Sequence, residues 1–525
     1  MIFNDKYKIF YFFQKLLVFS FLFLSFCGPP RPEPSLPLSN QRTEERIVRD
    51  LDAEEWNLRS QAILDLLLHN PKNHTSKLRA MLAGDTNPNV RATAAIALGE
   101  IRDTESTPKI LELLKPGSGV SGDVVLDAVE RMKDRRAAPS ILYLLDSDSH
   151  AIRLKTVDVL TQLDDKTQGS KILKMATINS DPDKAKTYAM VLGKLSIKES
   201  ETYLLELVPR AEVGPTLAAA YLALGRIRSK KAVPILVKAL GGDFDKGREN
   251  ATEALIQIRE PTSVSLLLPY LESESVEIRF LAANVLVEIL DEKTKEFCIS
   301  LLVQKKVRSL GVASYILGRW KEESGRKQIE LALENPQNPE RETIARALGW
   351  IRNPESIPLL IRVLEEKEGE GRYGAAWALG IYAEPSTFTA LEKASASSDY
   401  RLASIAIESL AGLKIPEVLP VMEKRISQNK NLSIFAIRAI AQIPGEDARK
   451  SLESYAKHKD PTIYGVAIES LGQKKDKKSI PLLIGILKEG NPDKSRITIS
   501  ALTGLTSEKF FSSQEWIQWY EKENR

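Results

Sequence analysis

Four histidines, His69, His74, His150 and His458, are the only imidazoles this sequence offers for proton transfer or metal ligation, and none is followed by glutamate. His69 and His74 share a segment with Asn70 and Asn73. Two neutral ligands without a third do not make a zinc site, so a solvated loop is the reading there. No H-E-x-x-H, G-x-S-x-G or Walker A pattern occurs. Gly117-Ser118-Gly119-Val120-Ser121-Gly122 satisfies G-x-G-x-x-G, but it follows a helical segment, Lys109 to Lys115, where a dinucleotide site needs a preceding strand. It reads as a turn between helices. Cys298, inside the apolar stretch Phe297-Cys298-Ile299-Ser300-Leu301-Leu302, reads as a buried free thiol. The sequence therefore predicts no enzyme, no cofactor and no metal.

What the side chains do offer is recognition chemistry. Between residues 308 and 382 stand Arg308, Tyr315, Arg319, Trp320, Arg341, Arg346, Trp350, Arg352, Arg372, Tyr373, Trp377 and Tyr382. Arg and Trp dominate interface hot spots, because a large rigid face beside a planar donor excludes water well. The candidates for protein binding are Arg319, Trp320, Arg346, Trp350, Arg352 and Tyr382; Trp377, inside Ala375-Ala376-Trp377-Ala378-Leu379, reads as core.

The elements that must carry these residues follow from a repeat. A motif of the type Ala-Leu-Gly-x-Ile returns in fifteen copies at spacings of 30 to 32, its leucine position running from Leu67 and Leu98 through Leu317 and Leu348 to Leu502. Such a period means stacked units, none of which buries its apolar face alone. Pro108, Pro139, Pro234, Pro358, Pro420 and Pro481 each stand ten residues after the leucine position, where proline suits a first helical turn. Arg91, Arg153, Arg248, Arg279, Arg341 and Arg372 each stand seven before it and read as a structural ladder. Their expected acceptors lie in the adjoining repeat, for instance Asp85 and Asp148, which also suit helix caps. Trp320 and Trp350, three and two residues after the leucine position, are expected to lie close together across adjacent layers.

Segments such as Asn89-Val90-Arg91-Ala92-Thr93-Ala94-Ala95-Ile96-Ala97-Leu98-Gly99 resemble the second helix of a HEAT repeat, of the short type also found in phycobilin lyases. The resemblance covers residues 42 to 505. It implies an all-α fold, an α/α superhelical solenoid of about fifteen HEAT-like helix pairs forming one continuous domain. It does not imply one activity, since the repeat serves many tasks. Deoxyhypusine hydroxylases, built on the same repeat, hold a di-iron centre with His-Glu pairs, which this chain lacks.

The ends differ from the repeats. Lys6, Lys8 and Lys15 precede an apolar run of 11 residues, Leu16 to Phe26, which suits a signal peptide better than a span of about 20. Leu24-Ser25-Phe26-Cys27 resembles a bacterial lipobox, with Phe26 where a small residue is usual, and this resemblance implies lipidation of Cys27. A tether follows over 27–41, with five prolines between Gly28 and Pro37. Residues 506–525 read as a capping helix: Ser512 and Glu515 have capping-box spacing, and Trp516, Trp519 and Tyr520 share one face.

A charge of +4, from 74 basic and 70 acidic side chains, gives no electrostatic footprint for nucleic acid. The resulting expectation is a non-catalytic scaffold that presents its repeat surface to a protein partner. It would be exported and held by lipid at Cys27, facing the periplasm or the cell surface of a bacterium. The alternatives are a bilin-lyase-like or other planar-ligand-binding protein, or a purely structural envelope component.

Overall fold

The computed structural model describes residues 43–523 apart from residue 70. The expected signal peptide, the tether and Cys27 lie outside the described residues. Helix makes up 78% of the structure and strand is absent among the described residues, so the fold is all-α. No helix among them is long and apolar enough to cross a membrane. The chain divides between Leu266 and Leu267 into two compact units.

Each repeat is a helix pair whose limits are set by a few residues. In the pair Ile357–Leu364 and Gly371–Tyr382, the Asn353 side chain accepts from the Glu355 N–H and starts a 3₁₀ turn, Pro354–Ser356. Pro358 sits in the first turn that follows, where its missing N–H has no intrahelical partner to lose. Leu360, Val363 and Leu364 are buried, and the second helix then runs to Tyr382. It stops because Ala383 turns left-handed, with φ 55°. The residue four after the leucine position does the same in most repeats, among them those of Arg102, Lys133, Arg228, Arg259, Lys321, Arg352, Lys414 and Lys475. A left-handed residue costs roughly 1–2 kcal/mol. A cation there also faces the negative end of the helix dipole, which offsets part of that cost.

The seam between repeats is built at the level of backbone. Second helices pack closely on the second helices of neighbouring repeats, with the first helices behind them. A Cβ on Gly349 would lie 2.9 Å from the Ala378 Cα, and one on Gly225 would lie 2.5 Å from the Ala254 Cα. Gly99, Gly193, Gly318 and Gly472 face the next repeat in the same way. From Leu98 to Leu502 the leucine positions are at most 2% exposed. The first copy departs from the expected register: Leu66 is fully buried and Leu67 only partly, so the repeat begins one residue earlier. Arg59, seven residues before Leu66, then falls into the arginine series.

At the C-terminal end, the helix Pro492–Thr506 is followed by Ser513–Glu523, which packs on the helix Ile480–Lys488. Glu515 accepts from the Ser512 N–H at 2.9 Å, and the Ser512 hydroxyl accepts from the Glu515 N–H at 3.3 Å. This reciprocal pair is a capping box. Trp516 is fully buried, edge-on to Phe510 at 5.0 Å and to Trp519 at 5.4 Å.

Candidate functional site

Six positions of the arginine series were singled out from sequence, and the structure shows each as a clamp on the turn before its second helix. Arg153 Nη1 donates to the Ser147 and Asp148 carbonyls at 2.7 and 3.1 Å, and Arg279 Nη1 to those of Ser273 and Glu274 at 2.8 and 3.1 Å. Arg91 and Arg248 donate to the Asp85 and Gly242 carbonyls at 2.5 and 2.7 Å. Arg341 donates to the Leu333 carbonyl at 2.9 Å and Arg372 to that of Gly369 at 3.3 Å. Several reach onward as well: Arg91 to the Ser118 carbonyl at 2.5 Å, Arg341 to Glu366 at 2.6 and 2.7 Å, and Arg372 to Asp399 at 3.3 Å. Asp85 and Asp148 are not the caps expected of them; Asn87 and Ser149 cap those helices. The carboxylate of Asp85 instead takes a two-pronged bond from Arg59 at 2.7 and 2.8 Å.

One clamp skips a repeat. Arg279 Nη2 donates to Glu340 Oε1 at 2.7 Å across 61 residues. The intervening repeat has Leu310 where the arginine would stand, and then Gly311, whose missing Cβ leaves space for the Glu340 side chain. Burial pushes the Glu340 carboxyl above its usual range, while Arg279 pulls it down.

The aromatic and arginine cluster divides by helical geometry. Positions two before and two after the leucine are four apart, hence on one face of the second helix. That face carries Tyr315 and Arg319, then Arg346 and Trp350, then Trp377, on three successive repeats. Their rings form an edge-to-face series that begins at Phe280: Phe280 to Tyr315 at 5.6 Å, Tyr315 to Trp350 at 5.7 Å, Trp350 to Trp377 at 5.6 Å. Arg319 is exposed and lies over Tyr315 at 5.7 Å and Trp350 at 5.9 Å; its Nη1 donates to the Tyr315 hydroxyl, which in turn donates to Asn284 Oδ1 at 2.9 Å. Arg346 covers Trp377 at 5.0 Å. Glu342 accepts from Arg346 at 3.0 Å and from Arg401 at 2.8 Å, and Arg401 covers Tyr373 at 4.2 Å. Trp350 and Trp377 remain half-buried, so their outer faces are open to a partner.

Trp320, Arg352 and Tyr382 stand elsewhere. Trp320 and Tyr382 occupy the position three after the leucine, about 100° further round the helix, where most other repeats place Ile, Leu or Met. Trp320 Nε1 donates to the Val287 carbonyl at 2.8 Å, and the rings that flank Trp350 are those of Tyr315 and Trp377. Tyr382 is 4% exposed, its hydroxyl lies 2.8 Å from the Asn353 carbonyl, and burial pushes it up to about 12. Arg352 is a left-handed helix end whose Nη2 donates to the Tyr382 carbonyl at 3.3 Å. Sequence reasoning missed Glu342, Asp399 and Arg401; a count of offsets from the leucine was the signal that could have placed the first.

The same face between residues 96 and 194 has different chemistry. It pairs Arg131 with Glu100, and Lys194 with Asp158 at 2.7 Å, charge to charge across neighbouring repeats.

Three of the histidines have partners close at hand. His74 Nε2 lies 3.1 Å from Glu44, His150 Nδ1 3.3 Å from Arg153, and His458 Nδ1 accepts from the Asp460 N–H. Among the described residues no group of three metal-ligating side chains comes together. Cys298 is buried, which pushes its thiol up to about 12. Gly117 and Gly119 form a left-handed turn whose Ser118 carbonyl receives Arg91.

The family model for HEAT repeats matches residues 45–121, 169–256, 326–411 and 415–503. No curated protein sequence matches this chain. Among solved structures, the fold is similar to the karyopherin Kap121p bound to the SUMO protease Ulp1p, at 13% identity and a TM-score of 0.52, covering 93% of this chain and 64% of that one. A mutant of Kap121p gives the same identity and TM-score, over 93% and 65% of the two chains. Importin beta aligns at 12% identity and a TM-score of 0.44, over 88% and 82%. This chain thus spans about 65% of the length of the Kap121p chains it matches.

Proposed function

We propose that this chain, which belongs to the HEAT-repeat family, is a non-catalytic scaffold that docks a protein segment on the face formed by Tyr315, Arg319, Arg346, Trp350 and Trp377. The observation that carries the reading is the half-buried pair Trp350 and Trp377, stacked edge to face and flanked by two guanidinium groups. A partner that covers those rings removes apolar surface from water and leaves the guanidinium planes as donors at its edge, the composition of an interface hot spot. The fold shared with a karyopherin solved in complex with a protein is in keeping with this reading.

The test is crosslinking in intact cells followed by mass spectrometry, comparing wild type with a Trp350→Ala, Arg319→Ala variant of confirmed helicity. Loss of a specific partner in that variant, with retention in Lys194→Ala, supports the face. Equal capture by all three removes it. Binding of an added bilin by the purified protein, abolished by Trp350→Ala, would favour the planar-ligand reading.

The proposal extends to location. The run Leu16–Phe26, Cys27 and the proline-rich segment after it support export and a lipid anchor, with the repeats held near a bacterial membrane and facing the periplasm or the cell surface. The mass of the mature N-terminus decides this: an acylated Cys27 is the expected result, and an unmodified residue elsewhere ends it.

A further inference from the structure

A second site lies in the unit that ends at Leu266, on the ends of three successive second helices. A cavity of about 700 Å³ is lined there by Lys194, Arg226, Arg228, Arg259 and Gln257 among others, and by no carboxylate. Its size falls within the range of about 300–1,000 Å³ common for small-molecule sites. Cations at this end of several repeats answer the helix dipole, as Arg102 and Lys133 do. The repeat that ends at Arg226 supplies two, as does the repeat of Arg131 and Lys133, where Arg131 is paired to Glu100. Asp158 is held by Lys194 at 2.7 Å, Glu253 by Gln257 at 3.0 Å, and Glu260 by Lys230 at 2.9 Å. Arg226 and Arg228 have no hydrogen-bond or ion-pair partner among the described residues.

Two other cavities show that this is not general. One, lined by Pro108, Leu111 and Tyr143, is largely apolar, and one lined by Arg438 contains the carboxylate of Glu408. Only the first presents several cations without a lining acid. From this geometry we infer that the Arg226 cavity binds a multiply charged phosphate-type anion, either a free phosphorylated compound or the headgroup of an anionic lipid. Guanidinium forks match two phosphate oxygens at once, and two unpaired guanidinium groups, Arg226 and Arg228, suit a ligand with more than one charged group.

The experiment uses the full chain with two probes: inorganic pyrophosphate by titration calorimetry, and cosedimentation with phosphatidylcholine vesicles with and without phosphatidylglycerol. The test variant is Arg226→Gln, Arg228→Gln. The control is Arg131→Gln, Lys133→Gln, which removes equal charge from the matching positions of another repeat, where Arg131 is paired to Glu100. Binding of either probe, weakened at least about tenfold in the test variant and unchanged in the control, is the expected result. Pyrophosphate binding identifies a free phosphate compound as the source, and capture only by vesicles with phosphatidylglycerol identifies a lipid headgroup. The inference is overturned if neither probe binds, if both variants lose binding equally, or if polyglutamate binds where the phosphate probes do not.

Discussion

The second helices between residues 96 and 194 and those between 315 and 377 share one scaffold and carry opposite surfaces. Both close their seams with glycine against alanine, as Gly193 on Ala223 and Gly349 on Ala378 show. Both end in a left-handed residue, as at Ser196 and Arg352. On the open face the first region neutralises its charges in pairs, Arg131 with Glu100 and Lys194 with Asp158. The second adds rings, so that Arg319 and Arg346 rest on Trp350 and Trp377, Arg346 while also paired to Glu342. Exposed ion pairs contribute little because water competes for both charges. Stacked rings contribute through buried area and quadrupole geometry, which persist in salt. The scaffold thus leaves the face free to vary, and the rings concentrate binding capacity in one stretch.

The largest expected effect is in the clamps. Glu340→Ala strands Arg279, which is 3% exposed, without its carboxylate, and should destabilise the unit beginning at Leu267 by about 3–5 kcal/mol. Gly311→Ala should act in the same direction, since its methyl would lie 2.6 Å from the Glu340 Cβ. In the other region Arg153 meets the exposed Asp183 only at 3.9 Å, so Asp183→Ala should cost under about 0.5 kcal/mol. Urea unfolding reads the contrast: tryptophan fluorescence follows the unit from Leu267 onward, which holds all the tryptophans but Trp56, and circular dichroism follows the whole. Equal losses for Glu340→Ala and Asp183→Ala would erase the difference.

Next in size is the face itself. Trp350→Ala removes a half-buried ring from contact with two others and should cost about 2–4 kcal/mol by the same unfolding measurement. Arg131→Ala, on the paired face, should stay within about 0.5 kcal/mol. A Trp350→Ala cost as small as that of Arg131→Ala would mean that the rings carry no structural load and serve recognition alone.

The fold was legible because one leucine position and two offset markers recur with little drift. The site was legible in residue type but only half in position. Tyr315, Arg319, Arg346, Trp350 and Trp377 share a face because each lies two residues from a leucine position, whereas Trp320 and Tyr382, one residue further on, turn into the seam. Residue type cannot separate the two sets, but the offset does. The partners of the arginines were hidden for a different reason. Glu340 is 61 residues from Arg279, and Glu342 is 59 from Arg401, so both bonds cross a whole repeat and depend on how closely the backbones approach. The start of the array was ambiguous because Leu66, Leu67 and Leu68 follow one another; only Arg59 fixes which of them is buried.

Salt should separate the two faces on a finer scale. The coupling between Lys194 and Asp158, measured by a double-mutant cycle, should be about 0.2–1 kcal/mol at low ionic strength and vanish in 1 M salt, where the Debye length is about 3 Å. The coupling between Arg346 and Trp377 should be about 0.5–1 kcal/mol and survive the same salt, because the ring excludes water from one side of the guanidinium group. A salt-sensitive Arg346 coupling would mean that Glu342, at 3.0 Å, holds that side chain and the ring is incidental.

The smallest effect concerns acid. Burial raises the Asp399 carboxyl, but the Tyr373 hydroxyl at 2.7 Å, backbone N–H groups and Arg372 together hold it below its ordinary value of 3.8. A carboxyl depressed in the folded state binds fewer protons there than in the unfolded chain. Its contribution is therefore complete above the unfolded value and is lost as pH falls through the folded one. Tyr373→Phe removes one of those donors and should cost about 1 kcal/mol near neutral pH. The gap between variant and wild type should close as pH falls below about 4, because protonation takes from the wild type what the variant already lacks. The edge-to-face contacts of Trp350 with Tyr315 and Trp377 carry no titratable acceptor, so the Trp350→Ala deficit should stay constant over the same range. A Tyr373→Phe deficit that is equally constant would mean that the hydroxyl acts through packing against Arg401, 4.2 Å from the ring, and not through Asp399.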